Sequence, residues 1–214
     1  MPRAGLLDPY NIGVVKKSAT ERYLDGSPDG LRRDCEESLK NLRVECIDLY
    51  QLHWVDPAVP LSESVQGLAR LQQEGKIRLI GLSNITVEQL EEARSIAQIA
   101  SVQNRYSVGE RQGDPMVDCC AREGIAFVPY GPLGADPMKQ GAPLASAEGA
   151  LANVGKSLGA TATQVALSWL LHRAPNILLI PGTTSMTHLA ENVAVTKLNF
   201  TQEQLQELQT WSGL

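Results

Sequence analysis

Short apolar runs rich in β-branched residues alternate with amphipathic stretches along nearly the whole of this 214-residue chain. Apolar runs of this kind are typical of strands buried on both faces, and the amphipathic stretches are typical of helices. No Ser/Gly linker or block of like charges interrupts the alternation. The pattern therefore predicts one α/β domain over residues 1–214, with a parallel sheet covered by helices.

Six strands are predicted, at residues 12–17, 47–53, 77–84, 101–105, 125–130 and 177–181. Helix starts are predicted where Ser27 and Asp114 each precede a proline, and at three Thr-x-x-Gln capping boxes beginning at Thr86, Thr161 and Thr201. Glycines just before strands, Gly75 and Gly124, are predicted to end helices.

The net charge of −5 and a pI near 5.3 provide no broad basic surface, so nucleic acid is not an expected partner. No apolar stretch approaches the roughly 18 residues of a membrane span, and no signal peptide is apparent, so we expect a cytoplasmic protein. The four cysteines lack paired spacing and nearby histidines. We expect reduced thiols and no metal site.

Six strand–helix units are compatible with two α/β folds. A closed (β/α)8 barrel takes eight units over about 250 residues, whereas an open doubly wound sheet needs about five or six, so the count favours the open sheet. Against it, no predicted strand is followed by the G-x-G-x-x-G turn of an open dinucleotide-binding sheet. Polar residues lie instead at the ends of many strands, as on the catalytic rim of a barrel.

Lys17 and His53 each end a predicted strand and are candidate catalytic groups. Alternation along a strand points Lys16 and Lys17 to opposite faces, so only one of them faces inward. A partly desolvated lysine can tune proton transfer, and an imidazole can hydrogen-bond a substrate carbonyl. The alternatives are a solvated lysine and a core histidine. His172 and His188 are predicted in or near helices.

Amide and hydroxyl groups also end strands, at Ser83, Asn84 and Gln103. Such groups can hold a carboxamide, although they also serve as plain strand caps. Tyr130 can lie against a flat heterocycle or simply pack. The hydroxyl-rich segment 180–188 runs from a strand into a helix start, where backbone N–H groups form either a phosphate site or an ordinary cap.

Five segments taken together resemble the aldo-keto reductases: IDLYQLHWVD at 47–56, EGKIRLIGLSN at 74–84, SVQNRY at 101–106, GIAFVPYGPL at 124–133 and LIPGTTSMTHLAENV at 179–193. They occur in the family's order and spacing over nearly the whole chain. The resemblance implies a (β/α)8 TIM-barrel type fold and NADP(H)-dependent reduction of an aldehyde or ketone by hydride transfer. The expected substrate is a small-molecule carbonyl compound.

By resemblance, Lys17 and His53 are two of the family's four catalytic residues. Ser83, Asn84 and Gln103 would hold the nicotinamide carboxamide, and Tyr130 would stack on its ring. The remaining cofactor contacts implied for the pyrophosphate, 2′-phosphate and adenine are Gly131, Leu133, Gly182, Thr183, Thr184, Ser185, His188, Glu191 and Asn192. Many members carry lysine and arginine where this chain has Gly182 and His188, which weakens the expected selectivity for NADP.

The family's aspartate and tyrosine have no counterpart here, because they follow two earlier strands. The resemblance therefore predicts an incomplete barrel of about six βα units with the first two strands missing. Asp8 and Tyr10 precede the strand of Lys17 and cannot replace them, and Tyr23 is expected in the loop after it. We expect little turnover and possible self-association through open barrel edges. The alternatives are a nucleotide-binding module without turnover and an unrelated barrel lyase or isomerase for phosphorylated substrates.

Overall fold

A computed structural model describes residues 11–12, 14–16, 22–134 and 149–210. The chain divides into two compact units, Met1–Gln103 and Asn104–Leu214. In the first unit a parallel sheet has the order β1 (Asn11–Ile12), β4 (Ile47–Leu52), β5 (Ile77–Ser83) and β6 (Ile99–Gln103). A separate antiparallel pair consists of β2 (Val14–Lys16) and β3 (Arg22–Leu24).

The helices of the first unit are α1 (Pro28–Leu42), α2 (Leu61–Gln73) and α3 (Val87–Arg94). Their starts follow the predicted chemistry: Ser27 accepts a hydrogen bond from the backbone of Gly30, and Thr86 and Gln89 form a complete capping box. Gly75 follows α2 with φ +75°, a conformation that glycine adopts without strain. These local signals place the helices so that each leads into the next strand.

A buried carboxylate fixes the loop that follows β4. Asp56 accepts hydrogen bonds from the backbone N–H groups of Gly26 at 3.0 Å and Ala58 at 2.9 Å. Ser64 on α2 donates its hydroxyl to the carbonyl of Gly26 at 2.7 Å. The loop after β4 is therefore attached both to the segment before α1 and to α2.

The second unit contains α4 (Asp114–Glu123), β7 (Ala126–Phe127), α5 (Ala150–Leu158), α6 (Ala162–Arg173), α7 (Met186–Ala194), a 3-10 helix (Val195–Lys197) and α8 (Gln202–Thr210). Its core includes three aromatic side chains in contact, with Tyr106 edge-on to Phe127 and stacked on Trp169. Arg111 lies over the Trp169 ring at 4.6 Å and donates to the carbonyls of Leu208 and Gln209. This arginine ties the last helix to the aromatic core.

Two predicted strands differ from the structure. Residues 12–17 are not one strand, because Ile12 ends β1 while 14–16 pair with 22–24 in the hairpin. Pairing with a nearby segment costs little loop-closure entropy, which favours the hairpin. Of 177–181, Ile177 forms a single parallel bridge with Phe127, and residues 178–181 lie outside any strand. Pro181 has no N–H to extend a ladder.

The other four predicted strands are present, although β7 is shorter than residues 125–130 and β6 begins at Ile99. The four cysteines are free thiols, and three of them are buried. Burial raises the pKa of Cys35 to about 11. Within the described ranges, no helix combines the length and apolar character that crossing a bilayer requires.

Candidate active site

His53 directly follows β4 and is half-buried. Its carbonyl accepts a hydrogen bond from the side-chain amide of Asn84 at 2.8 Å. Its ring lies nearly parallel to that of Trp54, with 6.1 Å between the centroids and an interplanar angle of 19°. The backbone of this histidine is therefore held from the neighbouring strand end, at the carboxyl edge of the parallel sheet.

The ends of β5 and β6 form a connected polar cluster. Ser83 and Gln103 are partners in the strand register, and the Ser83 hydroxyl donates to the Gln103 carbonyl at 2.7 Å. The backbone N–H of Asn84 donates to the same carbonyl at 3.2 Å, and its side chain donates to Ser83 Oγ at 3.0 Å. The structure thus brings Ser83, Asn84, Gln103 and the backbone of His53 together, as the sequence predicts.

Asn84 has a left-handed backbone, with φ of 57°. Among non-glycine residues, asparagine tolerates this conformation comparatively well because its short amide can bond locally. The left-handed turn ends the strand while the amide bridges to the end of β4. Asparagine at position 84 therefore suits both the left-handed backbone and the hydrogen bond to the His53 carbonyl.

A second polar layer lies two residues before His53 and Gln103 along their segments. Gln51 on β4 donates its amide to the Ser101 hydroxyl on β6 at 2.9 Å. Both are buried, with exposures of 6% and 3%, and Gly81 lies between them in the register. This pair was not predicted from the sequence. The available signal was two polar residues inside apolar strands, each two positions before a candidate site residue.

In the second unit, Tyr130 forms a parallel bridge with Arg105. Its N–H donates to the Asn104 carbonyl at 3.0 Å, and its carbonyl accepts from the N–H of Tyr106 at 3.3 Å. Gly131 follows with φ of 61°, opening a turn closed by a hydrogen bond from Gly134. Tyr130, Gly131 and Leu133 are all half-buried, so this turn is accessible to a ligand.

The predicted phosphate segment leads into α7. Gly182, Thr183 and Thr184 are exposed, and the Thr183 hydroxyl accepts from the N–H of Ser185 at 3.1 Å. Ser185 caps the helix by accepting from the N–H of His188 at 3.3 Å. The helix start therefore offers hydroxyl and backbone donors.

Further along α7, His188 is exposed, whereas Glu191 and Asn192 are half-buried. The carbonyl of Glu191 accepts from the Gln164 side chain at 3.2 Å, which anchors α7 to α6. Residues 182–192 contain no lysine or arginine. A phosphate group held here would therefore be bound by neutral donors and the helix dipole, without a lysine or arginine from this segment.

Four residues near the start of the chain were considered from the sequence, and of these only Lys17 is a predicted site residue. Lys17, Asp8 and Tyr10 lie outside the described residues. Tyr23 is not in a loop, as the sequence suggested, but in β3, opposite Val15. Residues 22–24 pair with residues 14–16 in the antiparallel hairpin, and so Tyr23 lies in a strand and not in a loop.

Solved structures share this arrangement of strands and helices. A glycerol dehydrogenase from Gluconobacter oxydans matches with a TM-score of 0.80 and 25% identity, over 92% of this chain and 69% of that one. An aldo/keto reductase from Klebsiella pneumoniae, solved with NADP and acetate, matches with a TM-score of 0.75 and 28% identity, over 86% of this chain and 65% of that one. These neighbours define an α/β protein of the (β/α)8 TIM-barrel type.

The chain belongs to the aldo/keto reductase family, whose family model matches residues 13–212. A curated relative, pyridoxine 4-dehydrogenase of Escherichia coli strain K12, is 42% identical over 216 residues, which cover 94% of this chain and 73% of that protein. The chain thus spans about two thirds to three quarters of the length of these relatives. The predicted family and fold class are confirmed, and the absence of the first two strands stays a prediction.

Proposed function

We propose that the chain acts as an NADP(H)-dependent oxidoreductase that reduces an aldehyde or ketone to an alcohol. The observation that carries the proposal is the cluster of Ser83, Asn84 and Gln103, held by hydrogen bonds between strand ends and linked to the backbone of His53. A related Klebsiella pneumoniae structure contains NADP, and the Escherichia coli relative is named a dehydrogenase. Both relatives support the same chemistry.

The polar cluster of the first unit would bind the nicotinamide carboxamide. A carboxamide presents two donors and one carbonyl acceptor in a fixed plane, so it needs partners of both kinds. The Ser83 hydroxyl and both N–H groups of the Asn84 amide already donate to neighbouring groups, which limits their rotation and leaves these side chains as acceptors. The side-chain amide of Gln103 would supply the donor to the carboxamide oxygen. Preorganised partners lose less entropy on binding than free side chains do.

The second unit would bind the rest of the cofactor. Tyr130 would stack on the nicotinamide ring, with Gly131 and Leu133 beside the pyrophosphate. The exposed turn before α7 would hold the 2′-phosphate through backbone and hydroxyl donors. The residues proposed for this phosphate and the adenine are Gly182, Thr183, Thr184, Ser185, His188, Glu191 and Asn192.

Bound NADPH would supply the hydride that reduces the carbonyl carbon. His53 would orient and polarise the carbonyl group by donating a hydrogen bond to its oxygen, and it would give up that proton to the oxygen as the hydride arrives, which completes the alcohol. Trp54, which is 45% exposed beside the histidine ring, offers an apolar surface to the substrate. Lys17 is retained as a proposed catalytic cation on the basis of the family resemblance.

Fluorescence titration with NADPH tests the binding part of this proposal. We expect saturable binding that Asn84→Ala weakens, because the variant loses the amide that joins the two strand ends. Asn153→Ala, at an exposed position of α5, is the matched control and should bind like the wild type. Failure to saturate at millimolar NADPH would overturn the proposal.

An assay with reactive aldehydes tests the chemical part. We expect at most slow oxidation of NADPH; oxidation that depends on the aldehyde and is lost in His53→Ala supports a reductase. Saturable binding without any reduction would support a nucleotide-binding module instead.

A further inference from the structure

Gln51 and Ser101 form a buried hydrogen bond that passes over a strand. Gln51 is on β4 and Ser101 is on β6, and Gly81 of β5 is the register partner of both. Because side chains alternate along a strand, Gln51 shares a face with His53, and Ser101 shares it with Gln103. The bond therefore joins the two strands that flank β5, one layer below the candidate nicotinamide site.

Gly81 makes this contact possible. A Cβ atom at this position would lie 2.5 Å from Gln51 Cγ and 2.6 Å from Ser101 Oγ. Those distances are far below van der Waals contact, so any larger residue would force the pair apart. Gly81 lies within β5, and glycine is required here because the Gln51 and Ser101 side chains occupy the space that a Cβ atom would need.

A register shift adjoins the same glycine. Ile80 pairs with Ile99, but Gly81 pairs with Ser101, so Ala100 is an extra residue on β6. Without this bulge Ala100 would face Gly81, and Val102 would face Ser83. With it, Ser83 faces Gln103, and the Ser83 hydroxyl reaches the Gln103 carbonyl. The bulge therefore places Gln103, rather than Val102, opposite Ser83 at the candidate nicotinamide site.

We propose that Gln51 and Ser101 are positioning residues that hold β6 in the shifted register and so place Gln103, Ser83 and Asn84 for the nicotinamide end of the cofactor. This inference rests on the proposed function, because it assigns a purpose to that cluster. Neither residue is proposed to touch the cofactor. Their hydrogen bond selects the shifted pairing, since it forms only when Ser101 faces Gly81.

The test separates positioning from stability. A buried hydrogen-bonded pair can often be replaced by apolar groups of similar shape at little cost in stability. The double variant Gln51→Met/Ser101→Ala should therefore unfold at a urea concentration close to that of the wild type. Ser101→Ala leaves the buried Gln51 amide without this partner and should unfold at a lower urea concentration, but it provides the same binding test if the double variant folds poorly.

Two ligands report on different ends of the cofactor. NADPH includes the dihydronicotinamide, whose own fluorescence changes with the surroundings of the ring, whereas adenosine 2′,5′-bisphosphate lacks that ring. We expect both variants to raise the Kd for NADPH about tenfold. We also expect a smaller change in bound dihydronicotinamide fluorescence and an unchanged Kd for the bisphosphate.

Three results are distinguishable. Wild-type affinity and fluorescence for NADPH in the variants would reduce the pair to a structural contact and overturn the inference. Equal losses of affinity for NADPH and for the bisphosphate would indicate general loosening and would also overturn it. A wild-type protein that binds NADPH no more tightly than the bisphosphate would remove the proposed nicotinamide site, and the inference with it.

Discussion

The two units carry their candidate cofactor residues in contrasting surroundings. In the first unit, Ser83 is buried and the cluster is held by hydrogen bonds between parallel strands. In the second, α7 has no buried residue, and the turn before it is held mainly by Thr183 and Ser185. The geometry of the candidate residues in the first unit depends on long-range strand register, whereas in the second unit it depends on a local helix cap.

This contrast implies different mechanical behaviour. Segments with few buried contacts open at low free energy, while strands in a core open only with the whole unit. The exposed apolar residues Met186 and Val193 on α7 are consistent with a weakly packed helix. We expect the nicotinamide end to be rigid and the phosphate end to adapt to its ligand.

The largest expected effect is the difference in stability between two Gly→Ala variants, one in each unit. Gly81→Ala should destabilise the protein by about 1–3 kcal/mol, because the new Cβ overlaps Gln51 and Ser101. Gly182→Ala meets nothing within 4 Å and should leave stability nearly unchanged. Urea unfolding of both variants measures the difference. Equal unfolding midpoints would remove the contrast between the units.

A smaller effect is expected at the left-handed residue. Asn84→Gly keeps the backbone conformation but loses the amide, whereas Asn84→Ala also introduces strain of about 1–2 kcal/mol. Both variants should bind NADPH about tenfold more weakly and melt earlier than the wild type, because both lose the amide hydrogen bonds, and the alanine variant should melt earlier than the glycine variant. NADPH titration and thermal melting separate the two contributions. Normal binding by Asn84→Gly would show that the amide has no part in recognition.

A substitution in the exposed first turn of α7 should strengthen NADPH binding. His188→Arg adds a cation at the start of α7, where the proposed 2′-phosphate lies. Because exposed ion pairs contribute up to about 1 kcal/mol, NADPH affinity should rise by at most about fivefold. NADH affinity should not change, and added salt should remove the gain. Thr187→Arg, also exposed, is the positional control; a similar gain there would indicate nonspecific attraction.

The smallest effect is acid sensitivity near the start of α1. The hydrogen bond from the Ser27 hydroxyl, with help from Arg33, lowers the pKa of Asp25 below its ordinary value. A lowered folded pKa gives stability that is complete above the ordinary value of about 4 and is lost as the pH falls through the folded pKa.

Thermal melts between neutral pH and about pH 2 should therefore show the wild type losing its advantage over Asp25→Asn. Arg33→Gln should remove a smaller part of this advantage, since Ser27 makes the largest contribution. A constant difference between wild type and Asp25→Asn at every pH would contradict the assignment.

Local signals explain which features the sequence could predict. The capping boxes at Thr86 and Thr161 involve residues three apart, and both form as predicted. The polar residues at or directly after strand ends, His53, Ser83 and Gln103, were predictable because an apolar run stops at each of them. In contrast, the bulge at Ile80 and Gly81 depends on the pairing of two strands, and no local pattern specifies it.

The same reasoning explains the predictions that were wrong. The β-branched run at 12–17 indicates strand propensity but not the partner, so the hairpin with residues 22–24 was not predicted. Residues 177–181 have the composition of a strand, yet a parallel ladder forms only at Ile177. Strand propensity is a property of one segment, whereas strand pairing depends on two segments that can be far apart in the sequence.

The buried carboxylate of Asp56 has a consequence for how this sequence can change in length. A hairpin or loop accepts inserted residues when its backbone makes few hydrogen bonds to the rest of the protein. The loop after His53 is fixed by Asp56 to Gly26 and Ala58, and a Cβ on Gly26 would lie 2.8 Å from Asp56 Cβ. Insertions between His53 and Ala58 should therefore be strongly disfavoured, while the exposed turn at 182–184 should accept them.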